Sequence, residues 1–339
     1  SLARRAGAGR AAGYVNAVLR AVARARFAEP DEAADPLRYW STAGSHPPWL
    51  AARWLARLGA GEGGRLMRAN NAAPPLTVLA NPLQLSPPEA AERLRRHGLA
   101  AEAGRFSPLA FRLRDVGSPA DLPGFAEGDW IPMDEGGLLP VLALAPEPGQ
   151  RVLDACAGGG GKTALIAAAV APAGTVVALD RSPRALRRLT AAAERLGLPR
   201  VQPILGDARA APAQGRFPRV LLDAPCSGLG TVRRRPEIKW RRRPADLPAA
   251  QALQRELLAG AAEAVGPGGL LVYSTCSLEP EETDDVIAWF LRERRDFVPD
   301  DLVGVLSGAP GLVEGMVARA WPHRHGTDGF FVARLRRSA

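Results

Sequence analysis

From residue 148 onward the chain alternates short apolar runs with stretches of helical spacing, and this alternation limits the fold more than any other feature. The apolar runs cover 151–154, 175–180, 201–205, 219–223, 269–274 and 330–336. Helical spacing fills 162–170, 183–196 and 251–265 among the first five. Strand–helix–strand units of this kind close by right-handed crossovers onto a parallel sheet. The expected fold is α/β, with a doubly wound, mostly parallel sheet over residues 141–339. Ligands of such sheets sit beyond the carboxyl ends of the strands, so the residues ending each run are the first candidates for chemistry.

The preceding part reads differently. Residues 1–70 carry helical spacing, with apolar residues and arginines on opposite faces of 13–24. A second helix is expected over 45–57, entered through Ser45 and two prolines and ended by the glycines at 59–64. Residues 71–140 suggest a small α/β lobe: strands at 76–80, 106–112 and 130–133, and a helix at 87–97 with Gly98 just past its end. The arginines of the first ten residues are not followed by an apolar segment, and no eighteen-residue apolar run exists. A cytoplasmic protein without membrane contact is the expectation. The three cysteines form no disulfide framework, and no CxxC or His-x-x-x-His spacing suggests a metal.

The first strand of the sheet runs into Asp154-Ala155-Cys156-Ala157-Gly158-Gly159-Gly160-Gly161-Lys162-Thr163, a glycine turn opening a helix. Such a turn lets a ligand approach the backbone closely. Lys162 and Thr163 imitate a phosphate-binding loop, but Cys156 stands where that loop needs its first glycine. A dinucleotide fingerprint fits residues 159–164, though weakly inside a run of glycines. S-adenosylmethionine is the third option. Its ribose would take Asp180 at the end of the second strand, and its adenine Asp207 at the end of the third. On these residues alone a nicotinamide cofactor stays open, and each acid could simply cap a turn.

Two further strands end in cysteine motifs, Asp223-Ala224-Pro225-Cys226-Ser227-Gly228 and Tyr273-Ser274-Thr275-Cys276-Ser277. A lone cysteine is usually a small buried hydrophobe. These two follow strand ends in loops of Ser, Thr, Pro and Gly, where neighbouring parallel strands would bring them to one pocket.

At these residues the sequence resembles the RsmB/Nop/Sun family of RNA cytosine-5 methyltransferases. The resemblance is carried by the Pro-Cys motif around Cys226 and by Arg234-Arg235-Pro236-Glu237-Ile238-Lys239-Trp240. The Thr-Cys motif running through Glu282 and the C-terminal Trp321-Pro322-His323-Arg324-His325-Gly326-Thr327-Asp328-Gly329-Phe330-Phe331 extend it. It implies a Rossmann-like methyltransferase domain and S-adenosylmethionine as cofactor, held by Cys156, Ala157, Gly158, Gly159, Gly160, Gly161, Lys162, Asp180, Asp207 and Asp223. It also implies that Cys276 is the nucleophile and that Cys226 assists product release. The chemistry needs a thiol because carbon 5 of cytosine is a poor nucleophile. A thiolate adding to carbon 6 moves electron density onto carbon 5, and Asp223 could supply a proton to ring nitrogen 3. The chain departs from the family's usual Cys-Ala-Ala-Pro-Gly-Gly-Lys at residues 158 and 159, and Met133 stands where glutamine is common.

Within the family, the segments 13–20 and 45–49 are similar to the NusB-like RNA-binding domain of the bacterial branch that acts on 16S ribosomal RNA. The similarity starts in the middle of that domain, so a truncated or reduced domain is expected. A net charge of +9, with only two lysines, suits either a GC-rich genome or a polyanionic partner. Arg233, Arg234, Arg235, Lys239, Arg241, Arg242 and Arg243 form the densest basic stretch and are the candidates for RNA phosphate contact, although a charge run is commonly just a solvated face. RNA, ribosomal RNA first, is the expected partner of a monomeric enzyme. The rivals are a nicotinamide-dependent dehydrogenase, which leaves both cysteine motifs unexplained, and a non-catalytic RNA-binding assembly factor.

Overall fold

The computed structural model describes Arg5 and residues 7–25, 29–210 and 216–339. The opening stretch weighed for a leader thus lies partly outside the described residues. The sheet read from the sequence forms with β5 (Arg151–Asp154), β6 (Thr175–Asp180), β7 (Val201–Leu205), β8 (Phe217–Asp223) and β9 (Val265–Thr275), all parallel. Antiparallel β13 (Phe330–Arg337) continues it beside β9, followed by β12 (Val317–Ala320) and β11 (Val313–Glu314), and β10 (Phe297–Pro299) also pairs with β13.

Side chains alternate across this sheet and are buried on both faces, which is why its strands read as unbroken apolar runs. Val152, Leu221, Val272 and Val332 enter one core with Leu139 and Ile166. Leu153, Leu222, Tyr273 and Phe331 enter the other with Leu258 and Phe290. The strand order β7–β6–β5–β8–β9 reverses direction at β5, so a crevice opens above the β5 and β8 carboxyl ends.

The smaller lobe is a four-stranded antiparallel sheet, ordered β2–β3–β1–β4, built from β1 (Leu76–Ala80), β2 (Ala101–Ala103), β3 (Ala110–Leu113) and β4 (Trp130–Pro132). The helix Pro87–Arg96 starts at Ser86, whose N–H donates to Glu89, and covers the sheet with Ala90 and Leu94. The strand expected over 106–112 is shorter because a turn at Ser107, closed by the Ala110 N–H, occupies its first residues.

The helix entered at Pro48 breaks in a kink at Gly59, the first of the glycines expected to end it, where φ is 77°, and a second helix follows at once to Asn71. A Cβ at Gly63 would lie 3.0 Å from the Trp54 carbonyl oxygen, so that glycine serves close approach. The doubled helix buries Leu50, Trp54, Leu66 and Met67 against Leu229, Leu278 and Trp321 of the larger domain. Ahead of it, the helix Ala12–Arg24 leaves Tyr14, Leu19 and Val22 exposed. Among the described residues, no helix is long and apolar enough to cross a membrane.

Candidate active site

A cavity of about 610 Å³ opens over the carboxyl ends of the parallel strands, within the range of small-molecule sites. Each of the parallel strands contributes at least one group to its wall. Cys156, Gly158 and Lys162 follow β5, Asp180 ends β6, Asp207 follows β7, Asp223 and Cys226 close β8, and Cys276 follows β9. The other loop residues shape the turn: the Ala157 N–H donates to the Leu179 carbonyl, Gly160 (φ 87°) packs on Leu189, and Gly161 faces Met133. Gly159 is exposed, and a Cβ added there would come no closer to another residue than Arg188, at 3.9 Å.

Asp180 organises the glycine loop. Its two oxygens accept from the Gly158 N–H and the Ser182 N–H, each at 2.8 Å. Gly158 has φ 57°, and a Cβ added there would meet nothing within 4 Å, so the loop borders open space. Asp207 is held by the Arg209 guanidinium and backbone, which keep its carboxyl below the usual range.

Lys162 links the cofactor loop to the first cysteine motif. Its side chain is 16% exposed and its ammonium donates to Asp223 Oδ2 at 2.6 Å. Burial alone would lower this ammonium, but the Asp223 carboxylate outweighs burial and holds it above its ordinary value. The second Asp223 oxygen accepts from the Ser274 hydroxyl at 2.8 Å. Beyond this pair, Cys226 Sγ and Cys276 Sγ lie 3.3 Å apart. Cys226 is pushed well above the ordinary thiol range by its hydrogen bond to Cys276, then by burial and by the charges of Cys276 and Glu282. Either sulfur can donate in that contact. Cys156 is raised too, by burial and then by the carboxylates of Asp154, Asp223, Asp180 and Asp207, which leaves it an unreactive wall residue.

The basic stretch divides. Arg234, Arg235 and Arg242 line the same cavity. Arg234 bridges Asp134 at 2.5 Å and Asp328 at 3.0 Å, and Arg242 donates to the Ser227 carbonyl. Arg233 donates to the Gly326 carbonyl. Lys239 departs from the expectation of phosphate contact: it is buried, and its ammonium donates to Asn71 at 2.9 Å. Arg235, Arg241 and Arg243 are exposed, as is Trp240 between them.

Sequence reasoning missed Asp134, Asp328 and Phe330 on the cavity wall. Asp328 is buried, and burial followed by the Asp134 carboxylate pushes it up to about 7 against the pull of Arg234. Both Asp328 and Arg234 lie inside motif segments, but nothing in the sequence pairs them. Met133 presents its thioether to the glycine loop, so this position contributes no polar group.

The sequence pattern of a family described as "16S rRNA methyltransferase RsmB/F" matches residues 141–336. The chain belongs to the RsmB/F methyltransferase family. A second pattern, the ferredoxin-like domain of RsmF/B-like methyltransferases, matches residues 46–118 and so takes in the kinked helix with the small sheet. "Probable ribosomal RNA small subunit methyltransferase B" of Bacillus subtilis is 34% identical over 333 residues, covering 96% of this chain and 74% of that protein. "Ribosomal RNA small subunit methyltransferase B" of Yersinia enterocolitica is 34% identical over 327 residues, covering 95% and 72%. The crystal structure of PH0851 is 32% identical and superposes with a TM-score of 0.86, covering 99% of this chain and 75% of that one.

S-adenosylmethionine is the cofactor of a methyltransferase of this family. The cavity suits it. Asp180, Asp207 and Asp223 lie around the pocket, and the one lysine among them is already paired. Those carboxylates can accept from ribose hydroxyls and face a sulfonium cation.

Asp154 is the buried carboxylate beneath the glycine loop. One oxygen accepts from the Thr163 hydroxyl at 2.7 Å. Burial raises its carboxyl to about 6. A raised folded-state value means that its stabilising contribution is present below the unfolded value near 4 and is lost as pH rises through about 6. Relative to Asp154→Asn, the wild type should lose about 2 kcal/mol of stability between pH 4 and 7. Urea unfolding of both proteins across that range measures the difference, and parallel curves would show that Asp154 does not titrate there.

Proposed function

We propose that this protein methylates carbon 5 of a cytosine in RNA, with 16S ribosomal RNA as substrate, through a covalent bond between Cys276 and ring carbon 6. The observation that carries this reading is the pair of thiols 3.3 Å apart beside the Lys162–Asp223 ion pair. The substrate assignment is supported by the relatives named for small-subunit ribosomal RNA. Asp180 and the glycine loop would hold the ribose and amino-acid ends of the cofactor, and Asp207 its adenine. Bound S-adenosylmethionine supplies an electrophilic methyl group.

The chain's own residues do the rest. Cys276 gives its proton to a base and its thiolate adds to carbon 6, and the electrons of the 5,6 double bond become available at carbon 5. Lys162 donates to Asp223 at 2.6 Å, and as the ring accepts charge the proton passes from Lys162 through Asp223 to ring nitrogen 3. Once carbon 5 carries its methyl group, a base takes the carbon 5 proton and the double bond re-forms. The carbon 6–sulfur bond breaks, its electrons return to Cys276, and nitrogen 3 gives its proton back. Cys226, protonated and next to the departing sulfur, donates its S–H to the leaving thiolate and recovers a proton from the base. The apolar face of Phe330 lies 5.2 Å from the Lys162 ammonium and shields the ion pair.

Exposed Arg235, Arg241 and Arg243 with Trp240 form the RNA-facing rim, where guanidinium groups meet phosphates and an indole can stack on a base. Changing Arg241 and Arg243 to Ala should reduce the log–log salt slope of RNA binding by about 1.4 for a single strand and leave cofactor affinity alone. A filter-binding series in potassium chloride measures it, and an unchanged slope would mean that these arginines are only solvated.

Asp180→Ala should weaken S-adenosylmethionine binding by about 1–3 kcal/mol, through lost ribose hydrogen bonds and a loosened Gly158. Calorimetry on the RNA-free protein gives the affinity; unaltered binding would limit Asp180 to bracing the loop.

The two thiols should fail differently. Cys276→Ala should abolish methyl transfer and form no adduct. Cys226→Ala should still attack and methylate but stall before release, leaving a protein–RNA band on a denaturing gel. The reverse pattern would exchange the two roles, and intact turnover in both variants would exclude the thiol mechanism.

A further inference from the structure

Glu282 lies beyond the Thr-Cys motif, fully buried, and its carboxylate points at the other cysteine loop. Oε1 accepts from the backbone N–H of Ser227 at 2.6 Å, and Oε2 accepts from the Ser227 hydroxyl. Ser227 directly follows Cys226. The Gln254 side-chain amide completes the clamp, donating to Glu282 Oε1 at 3.2 Å and to the carbonyl of Pro225, just before Cys226, at 3.0 Å. Glu282 is itself fixed, because the Tyr273 hydroxyl donates to its carbonyl at 2.8 Å. The two residues flanking Cys226 are thus tied to a carboxylate carried by the loop of Cys276.

From this geometry we infer that Glu282 is a positioning residue that sets the Cys226–Cys276 separation and so controls release of the methylated RNA, an inference resting on the cysteine roles proposed above. A buried carboxylate with three hydrogen-bond donors converging on it is a stiff anchor. Its charge acts on the same step, since it helps keep Cys226 protonated and hence able to donate to the leaving sulfur. The nucleophile loop has its own support, hydrogen bonds from the Ser277 N–H to the Thr275 hydroxyl at 3.4 Å and from the Glu279 N–H to the Ser277 hydroxyl at 3.2 Å. Attack therefore survives loss of the clamp better than release does.

Glu282→Ala, assayed in the full chain with target RNA and S-adenosylmethionine, should still form the adduct but release product at least tenfold more slowly. The denaturing gel should show the same retained band as Cys226→Ala. Glu282→Gln keeps an oxygen for the Ser227 N–H and turns an amide toward the Ser227 hydroxyl, which can accept. It should restore most of the release rate, a rescue that a role in folding alone does not require to appear at the release step. Ser227→Ala removes one contact and leaves the carboxylate in place. It should retain a weaker band, and it decides the question if Glu282→Ala does not fold. If attack and release fall together in Glu282→Ala, or if it and Ser227→Ala retain no band while Cys226→Ala does, Glu282 does not control release. If Cys226→Ala itself retains no band, the proposed cysteine roles fail first.

Discussion

The parallel register of β8 against β9 is the constraint on which the site depends. Asp223 pairs with Ser274, so Cys226 and Cys276 follow three and two residues beyond one rung of the ladder. The Ser274 hydroxyl bonds the Asp223 carboxylate across that rung. A slip of one residue would turn every side chain of a strand to the opposite face. It would move Leu222 and Tyr273 out of one core and send Asp223 away from Lys162. The alternation that buries Leu221 on one side and Leu222 on the other makes such a slip prohibitive. The apolar cores thus hold the two sulfurs in contact, although neither core contains chemistry.

The electrostatics of the cavity follow from the same sheet. Parallel strands gather their carboxyl ends on one edge, and here that edge carries Asp154, Asp180, Asp207 and Asp223. Unpaired, these charges would repel one another in a poorly solvated cleft. Each is answered locally: Asp180 by two backbone N–H groups, Asp207 by Arg209, and Asp223 by Lys162. Asp154, buried deepest, is answered by a raised proton affinity. The cofactor meets carboxylates whose charges are already balanced within the protein.

Much of this was legible in the sequence, and the rest was illegible for identifiable reasons. The parallel strands announce themselves because both faces are buried, and the aspartates and cysteines at their ends follow directly. The helix Glu135–Leu144 gave no sign of itself: it holds Gly136, Gly137 and Pro140 and is buried on nearly every side, so no polar face marks its period. Strands β10 to β12 have only two to four residues, too few for alternation to show. Lys239 looked like part of a charged face because sequence reports charge and not the direction of a side chain. Glu282 and Ser227 are 55 residues apart, and Asp134 and Asp328 are 194 apart. No local pattern records contacts of that range.

The loop after β9 also joins the nucleophile to the N-terminal helix. Glu279 is buried and accepts from the Trp54 indole at 2.8 Å, with the Arg53 and Arg57 guanidinium groups completing its charge balance. Three residues later Glu282 reaches inward to the Cys226 loop. Two buried carboxylates on one short turn thus face opposite ways, one toward the helix and one toward the thiols. Burying two such charges is costly, and each is tolerable only because its partners are in place. The position of Cys276 is therefore fixed jointly by the catalytic sheet and by the helix docked upon it. A helix packed by Trp54 and Leu66 alone could drift along its apolar seat, since burial is not directional. The hydrogen bonds to Glu279 are directional, and they set the register between the two parts of the chain at the loop where the covalent step is proposed.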